Sequence, residues 1–206
     1  MDSNFENDLS KEIILGKYLD DIYSKKFKGY NIERIKDLDL QHQGIDLIIT
    51  KNQFEYYIDE KAQLDYINTA LPTFAFEISY LKNGVEKKGW LFDNDKKTQK
   101  YFLITGIFLN NLEDINKGFK SCIITSVDRN KLIKLLESRG LTHDKIQEMN
   151  LEIRSGLNEN AIPIKELNSH SEGKFYFSKN NKAEQPINLV LKIDFLIKES
   201  VAKKIH

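Results

Sequence analysis

The sequence contains a single cysteine, Cys122, among its 206 residues. One thiol cannot close an internal disulfide, and this cysteine usage is typical of an intracellular protein, so we expect a cytoplasmic location. Zinc sites built on several cysteines are excluded for the same reason. The four histidines also lack the spacing of zinc ligands.

Net charge is absent as well, because 31 lysines and arginines balance 31 aspartates and glutamates. Overall charge therefore gives no support for nucleic-acid binding, and such a function has to come from a local site. The longest apolar runs have the length of a strand, and the acidic N-terminus has no apolar segment typical of a signal peptide. We expect no membrane association.

Two families of phosphate-binding loop are also missing. Neither G-x-x-x-x-G-K-S/T nor G-x-G-x-x-G occurs, which excludes the common nucleotide-binding and dinucleotide-binding loops. What the chain does contain is a globular composition, with 40% hydrophobic and 30% charged residues. Its length is that of one α/β domain, or of one domain with an extension.

The first predicted element is a helix that starts in a capping box of Ser3 and Glu6 and runs to about Lys26. Placed at 100° per residue, one face of this helix is shared by Phe5, Leu9, Gly16, Leu19 and Tyr23. Glu12 falls inside this stripe. We therefore expect its carboxylate to face the sheet, where it needs a compensating partner.

The rest of the chain alternates strand-like and helix-like segments. Strands are predicted at 37–42, 44–50, 54–63, 73–81, 100–109, 121–126, 174–178 and 187–193, and helices at 128–139, 142–154 and over the last dozen residues. This pattern predicts an α/β fold with a core domain over 1–126. Residues 127–206 form a C-terminal α/β extension packed on the same domain.

The chemistry is concentrated in two neighbouring strands. If 44–50 and 54–63 form a hairpin around Asn52 and Gln53, paired residue numbers sum to 105 and Asp46 lies opposite Asp59, with Cβ atoms about 5 Å apart. A three-residue loop would instead place Asp46 opposite Ile58. Facing carboxylates destabilise a sheet unless a cation lies between them, and carboxylate oxygens suit Mg²⁺.

Asp46 and the Asp59-Glu60-Lys61 segment resemble the signature of the PD-(D/E)xK nuclease superfamily, which has the restriction-endonuclease-like fold. Glu12 is similar to the acidic residue that members often carry on the preceding helix, and Gln63 to a glutamine found in some branches. The first acid follows Ile45 rather than proline, as in many branches. Residues 72–78 and 89–91 look like uncharacterised bacterial and phage members.

The resemblance implies a central mixed sheet flanked by helices and a metal-dependent nuclease that acts on DNA. Asp46, Asp59 and Glu12, with the Glu60 carbonyl oxygen, would hold Mg²⁺, with Mn²⁺ as a substitute. Lys61 would orient the attacking water, and Gln63 would position Lys61 or the substrate. Residues 127–206 would contact the target or form a homodimer surface.

Three alternatives remain open at this point. The same fold occurs in catalytically silent nucleic-acid-binding or regulatory modules, and an RNA-directed nuclease would use the same residues. The two aspartates and Lys61 are also compatible with solubility charges at a sheet edge.

A lysine-rich segment offers weaker substrate contacts, because its lysines and one aromatic residue suit a phosphate backbone and a base: Lys87, Lys88, Trp90, Lys96 and Lys97.

Overall fold

The computed structural model describes residues 2–112, 114–156, 160–180 and 183–206, with side chains from residue 10 onward. The helices are α1 (Asp2–Lys26), α2 (Leu38–His42), α3 (Arg129–Ser138), α4 (His143–Gly156) and α5 (Ile193–Lys198). The strands are β1 (Asn31–Arg34), β2 (Leu47–Lys51), β3 (Phe54–Ala62), β4 (Thr73–Lys82), β5 (Val85–Lys88), β6 (Lys100–Leu109), β7 (Phe119–Asp128), β8 (Ala161–Ile162), β9 (Gly173–Phe177), β10 (Ile187–Lys192) and β11 (Ala202–Lys204).

These elements form two compact units. The first comprises Met1–Leu71, Thr98–Ser126 and Lys204–His206, and the second comprises Pro72–Lys97 and Val127–Lys203. The expected boundary after residue 126 coincides with one of the positions where the chain passes from the first unit to the second. Residues 72–97, however, leave the first unit as an insertion, because β4 pairs with β10 rather than with the strands that precede it.

The first unit contains a mixed six-stranded sheet of order β1-β2-β3-β6-β7-β11. β1, β2 and β3 are antiparallel neighbours, whereas β3 and β6 run parallel with Asp59 beside Tyr101. β6 is buried along nearly its whole length, as expected for a central strand with apolar neighbours on both faces. The mixed α/β architecture predicted from the sequence is confirmed at this level.

Helix α1 covers one face of this sheet. Leu15, Leu19 and Tyr23 repeat at helical spacing and are at most 2% exposed. They share a core with Leu47 and Ile58 of the β2–β3 hairpin. The predicted helix end near Lys26 is confirmed, whereas the predicted capping box and stripe members Ser3, Glu6, Phe5 and Leu9 lie outside the residues with described side chains.

One strand prediction is wrong, because residues 37–42 form helix α2. The Asp37 side chain accepts a hydrogen bond from the backbone N–H of Leu40 (2.9 Å), which is the chemistry of a helix N-cap. Gly44 then adopts φ +74°, which terminates the short helix before β2. The first strand of the sheet is β1, which the apolar pattern did not predict because it is only four residues long.

The second unit contains an antiparallel sheet of order β5-β4-β10-β9-β8 together with α3, α4 and α5. A buried polar network ties α4 to the sheet: Ser79 donates to Asn150 (2.6 Å), and Asn150 donates to Glu86 (2.8 Å). Arg154 bridges the same Glu86 carboxylate (2.8 Å). Ser79 and Asn150 are the buried members of this network, and the Arg154–Glu86 ion pair lies at its exposed end.

The predicted helices at 128–139 and 142–154 correspond to α3 and α4, and Asp128 caps α3 by accepting from the N–H of Lys131 (3.1 Å). The prediction of one helix over the last dozen residues is wrong. α5 ends at Lys198, Ser200 takes φ +58°, and β11 follows. No helix in the described part of the chain has the length and apolar character needed to cross a membrane.

Candidate active site

The β2–β3 hairpin has the register expected from the sequence. Lys51 pairs with Phe54 and Leu47 with Ile58, so paired residue numbers sum to 105. Asn52 and Gln53 form the two-residue turn and have φ values of +48° and +70°, as this tight hairpin turn requires. The paired register ends at Leu47 and Ile58, and the Asp46 N–H donates to the Ile58 carbonyl, so the expected pairing of Asp46 with Asp59 is not part of the ladder.

Asp46 lies just before β2 and is held by the backbone of β3. Its own N–H donates to the carbonyl of Ile58 (2.8 Å), and its Oδ2 accepts from the N–H of Glu60 (2.7 Å). Two backbone contacts from one strand therefore fix both the main chain and the carboxyl group of Asp46. The side chain cannot leave this position without losing a hydrogen bond.

Asp59 is a buried carboxylate with a lysine partner. The residue is only 2% exposed, and its Oδ1 lies 2.6 Å from Lys61 Nζ. Asp59 and Lys61 are two residues apart on one strand, so they occupy the same face. The Lys61 side chain keeps 29% exposure, which leaves the ammonium group open to the solvent side of this pair.

Asp46 and Asp59 interact electrostatically. Burial is the main cause that raises the pKa of Asp46 to about 6, and the charge of Asp59 and a side-chain hydrogen bond with it add to the increase. The Glu60 N–H and the Lys61 charge act in the opposite direction. The raised pKa of Asp46 is the behaviour expected of a buried carboxyl beside a second carboxylate, and the Lys61 ammonium only partly offsets it.

Glu60 points to the other face of β3, toward helix α1. Tyr23 Oη donates to Glu60 Oε1 (2.6 Å), and Arg34 Nη1 donates to Glu60 Oε2. Arg34 also forms an ion pair with Asp20 (2.7 Å). The Glu60 carboxylate therefore anchors α1 and β1 to β3, and only its carbonyl oxygen corresponds to the ligand expected from the sequence.

Arg34 and Tyr23 were not predicted as parts of the site. A signal for Arg34 existed, because alternation along β3 turns Glu60 toward the helix, where a buried carboxylate needs a cation. Arg34 is the only arginine among the first 126 residues. The sequence does not indicate which residue of α1 contacts Glu60, because that depends on the angle at which α1 crosses the sheet.

A cleft of about 800 Å³ opens beside these residues, between α1 and the ends of β1 and β3. Four of the predicted site residues line it: Glu12, Asp46, Glu60 and Lys61. Lys17, Arg34 and Lys36 bring further positive charge to the same walls. Gln63 is half-buried just after β3, where its N–H donates to the carbonyl of Ile104 (3.0 Å).

The expectation that Glu12 faces the sheet and is buried is wrong. Glu12 lies on the expected side of α1 but is exposed, because it borders the open cleft. Among the described side chains of α1, the first buried one is Leu15, about one turn further along the helix and outside the predicted stripe. Helical phase was therefore predicted correctly for Glu12, whereas its depth was not.

The donor atoms in this site are carboxylate oxygens, which are the ligands that Mg²⁺ prefers. Asp46 and Asp59 are close enough to share a hydrogen bond, and they would be the residues that hold such an ion. Across the described residues, no group of three or more His, Cys, Asp or Glu side chains is placed to hold a metal. Glu12 thus lines the cleft without completing a three-carboxylate cluster.

The weaker substrate-contact residues all lie in the second unit, whereas the cleft belongs to the first. Lys87 and Lys88 are exposed on β5, and Lys97 is exposed in the loop that follows. Trp90 is half-buried, with its ring 5.5 Å from that of Phe76. The packing on Phe76 gives Trp90 a structural role in this unit.

No protein-family model, curated protein or solved structure matches this chain.

Proposed function

We propose that the chain is a Mg²⁺-dependent nuclease of the restriction-endonuclease-like fold that hydrolyses phosphodiester bonds, most directly those of DNA. The observation that carries the proposal is the contact of buried Asp59 with Asp46 and Lys61, two residues that line the cleft. Two carboxyl groups in contact inside a sheet are costly without a cation, although the Glu60 N–H and the Lys61 ammonium each compensate one of them.

The architecture of the first unit supports the same proposal. Helix α1 precedes three successive antiparallel strands, and β3, which carries the Asp59-Glu60-Lys61 segment, is a central strand rather than an edge strand. Its neighbours on either side are β2 and β6. A position inside the sheet argues against the interpretation of these charges as edge-strand solubility residues.

Each residue has a separate role in this proposal. Asp46 and Asp59 would hold the ion, and a bound Mg²⁺ would supply Lewis-acid stabilisation of the charge that develops on the phosphate. Lys61 would orient a water molecule and donate to a phosphate oxygen. The N–H of Glu60 fixes the Asp46 carboxyl, and the Glu60 side chain fixes α1 so that the cleft stays open.

A cleavage assay tests the proposal. Plasmid DNA and short duplexes are incubated with the protein and Mg²⁺ or Mn²⁺, with EDTA as the control. We expect metal-dependent cleavage by the wild type and a loss of at least about 100-fold in Asp59→Asn, the size of effect seen when one transition-state contact is removed. Asp21→Asn, an exposed change on α1, is the matched control and should cleave normally.

A second candidate is a non-catalytic nucleic-acid-binding or regulatory module. One observation that favours it is the 2.6 Å ion pair in which Lys61 already neutralises Asp59. A second is that the described residues contain no group of three carboxylates placed to hold a metal. Intact DNA under every metal condition, combined with a shifted band on a gel, would support this candidate over the nuclease. A parallel RNA substrate tests the RNA-directed alternative.

A further inference from the structure

The tip of the β2–β3 hairpin presents exposed aromatic side chains. Phe54 is 70% exposed and Tyr56 is 36% exposed, although both are large and apolar enough to favour burial. They have the same parity on β3 as Ile58, whose side chain packs in the core under α1. Phe54 and Tyr56 therefore continue the α1 face of the sheet beyond the end of the core.

Two lysines lie among these rings. Lys51, which pairs with Phe54, places its Nζ 4.3 Å from the centroid of the Tyr30 ring and 3.2 Å from its hydroxyl. Lys100 pairs with Ile58 and places its Nζ 6.0 Å from the centroid of the Tyr56 ring. We call this set of five residues the hairpin surface: Tyr30, Lys51, Phe54, Tyr56 and Lys100.

The nearest acidic residue of the hairpin points away from this surface. Glu55 alternates to the opposite face of β3, where its carboxylate accepts a hydrogen bond from the Tyr57 hydroxyl (3.2 Å). The hairpin surface thus combines flat apolar rings with positive charge. That combination is complementary to a strand of unpaired bases on a phosphate backbone, since bases stack on aromatic rings and phosphates attract lysines.

We propose that the hairpin surface binds a single-stranded segment of nucleic acid, with bases stacked on Phe54 and Tyr56 and phosphates near Lys51 and Lys100. The inference deepens the proposed nuclease function, on which it rests, by naming an unpaired segment as part of the substrate. Tyr56 is three residues from Asp59 on β3, about 10 Å along the strand. Because alternation turns the Asp59 side chain to the opposite face of β3, the hairpin surface would hold a part of the substrate that is separate from the bond at the candidate active site.

The test measures binding in EDTA, where cleavage does not interfere. Labelled 15-nucleotide dT and rU strands are titrated with protein and followed by fluorescence anisotropy. Phe54→Ala and Tyr56→Ala should each raise the Kd about tenfold, as expected for one lost stacking contact. Tyr66→Ala removes another exposed aromatic residue of the same unit (50% exposed) and should change the Kd less than twofold. The dT and rU arms distinguish DNA from RNA.

Three outcomes would overturn the inference. The first is an unchanged Kd in both Phe54→Ala and Tyr56→Ala while their melting temperatures match the wild type. The second is an equal loss of affinity in Tyr66→Ala. The third is a dimer in light scattering that Phe54→Ala converts to a monomer, which would make the surface a contact between two copies.

The failure of this inference can be told apart from failure of the nuclease proposal. If Asp59→Asn binds the dT strand with unchanged affinity and wild type cleaves nothing, only the nuclease proposal fails. If wild type cleaves duplex DNA and Phe54→Ala leaves strand binding intact, only the binding surface fails.

Discussion

Glu60 Oε1 accepts a hydrogen bond from the Tyr23 hydroxyl at 2.6 Å, while the backbone N–H of the same Glu60 donates to Asp46 Oδ2 at 2.7 Å. One residue on β3 therefore contacts both helix α1 and the Asp46 carboxyl of the candidate active site. Tyr23 is only 1% exposed, and burial together with Glu60 raises its pKa well above the ordinary range. The hydroxyl stays protonated and keeps donating.

The Tyr23–Glu60 contact should contribute measurably to stability. Tyr23→Phe removes a donor from a half-buried carboxylate and should lower the free energy of unfolding by about 1–2 kcal/mol. Glu60→Ala should lower it by about 3 kcal/mol, because it removes the acceptor of Tyr23 and one of the two carboxylate partners of Arg34. Urea unfolding of both variants and of the double variant measures the coupling. Strictly additive losses would contradict a direct interaction.

Asp46 should make stability depend on pH in a defined window. Its folded-state pKa of about 6 lies above the ordinary value of 3.8. Its contribution to stability is therefore complete below the unfolded-state value and is lost as the pH rises through the folded-state value. Relative to Asp46→Asn, the wild type should lose on the order of 2 kcal/mol between pH 4 and pH 7, allowing for partial exposure.

Urea unfolding at four pH values between those limits checks this dependence. Asp21→Asn serves as the control, because it removes an exposed carboxyl of the same unit and should follow the wild type at every pH. If the free energies of unfolding of wild type and Asp46→Asn differ by the same amount at every pH, Asp46 titrates normally in the folded protein.

Metal should stabilise the folded protein without any substrate. A ligand at about 100 times its Kd adds about 2.7 kcal/mol, so millimolar Mn²⁺ should raise the melting temperature by a few degrees. Asp46→Asn and Asp59→Asn should each abolish that increase. Lys61→Ala should keep or enlarge it, because the ammonium 2.6 Å from Asp59 competes with a cation for that carboxylate. If Mn²⁺ raises the melting temperature equally in wild type and in both aspartate variants, the metal does not bind between Asp46 and Asp59.

Glu12→Gln should separate function from stability. Glu12 is exposed on the cleft wall, so its replacement should change the free energy of unfolding by less than about 0.5 kcal/mol. If Glu12 assists metal or water in the cleft, the cleavage rate should fall at least about tenfold while binding of DNA is retained. Unchanged turnover would limit the site to Asp46, Asp59 and Lys61.

The hairpin illustrates what could be predicted from local sequence. The sequence left two registers open, one for a two-residue turn at Asn52 and Gln53 and one for a three-residue loop. The structure has the two-residue turn, with Leu47 paired to Ile58 and both side chains in the core. Segment 37–42 was harder. Its two leucines, Leu38 and Leu40, alternate with polar residues as in a strand, but the cap at Asp37 outweighs that pattern over so short a stretch.

The sequence by itself determined the mixed α/β class, the span of β6, the α1 face built on Leu19 and Tyr23, and the antiparallel pairing of 47–51 with 54–58. These follow from side-chain periodicity and turn chemistry, which act over a few residues. Only the tertiary structure decided that Arg34 partners Glu60, that Glu12 borders an open cleft, and that residues 72–97 belong to the second unit. Those features depend on contacts between residues far apart in the chain, where helix crossing and strand order select one arrangement among many that the same local pattern permits.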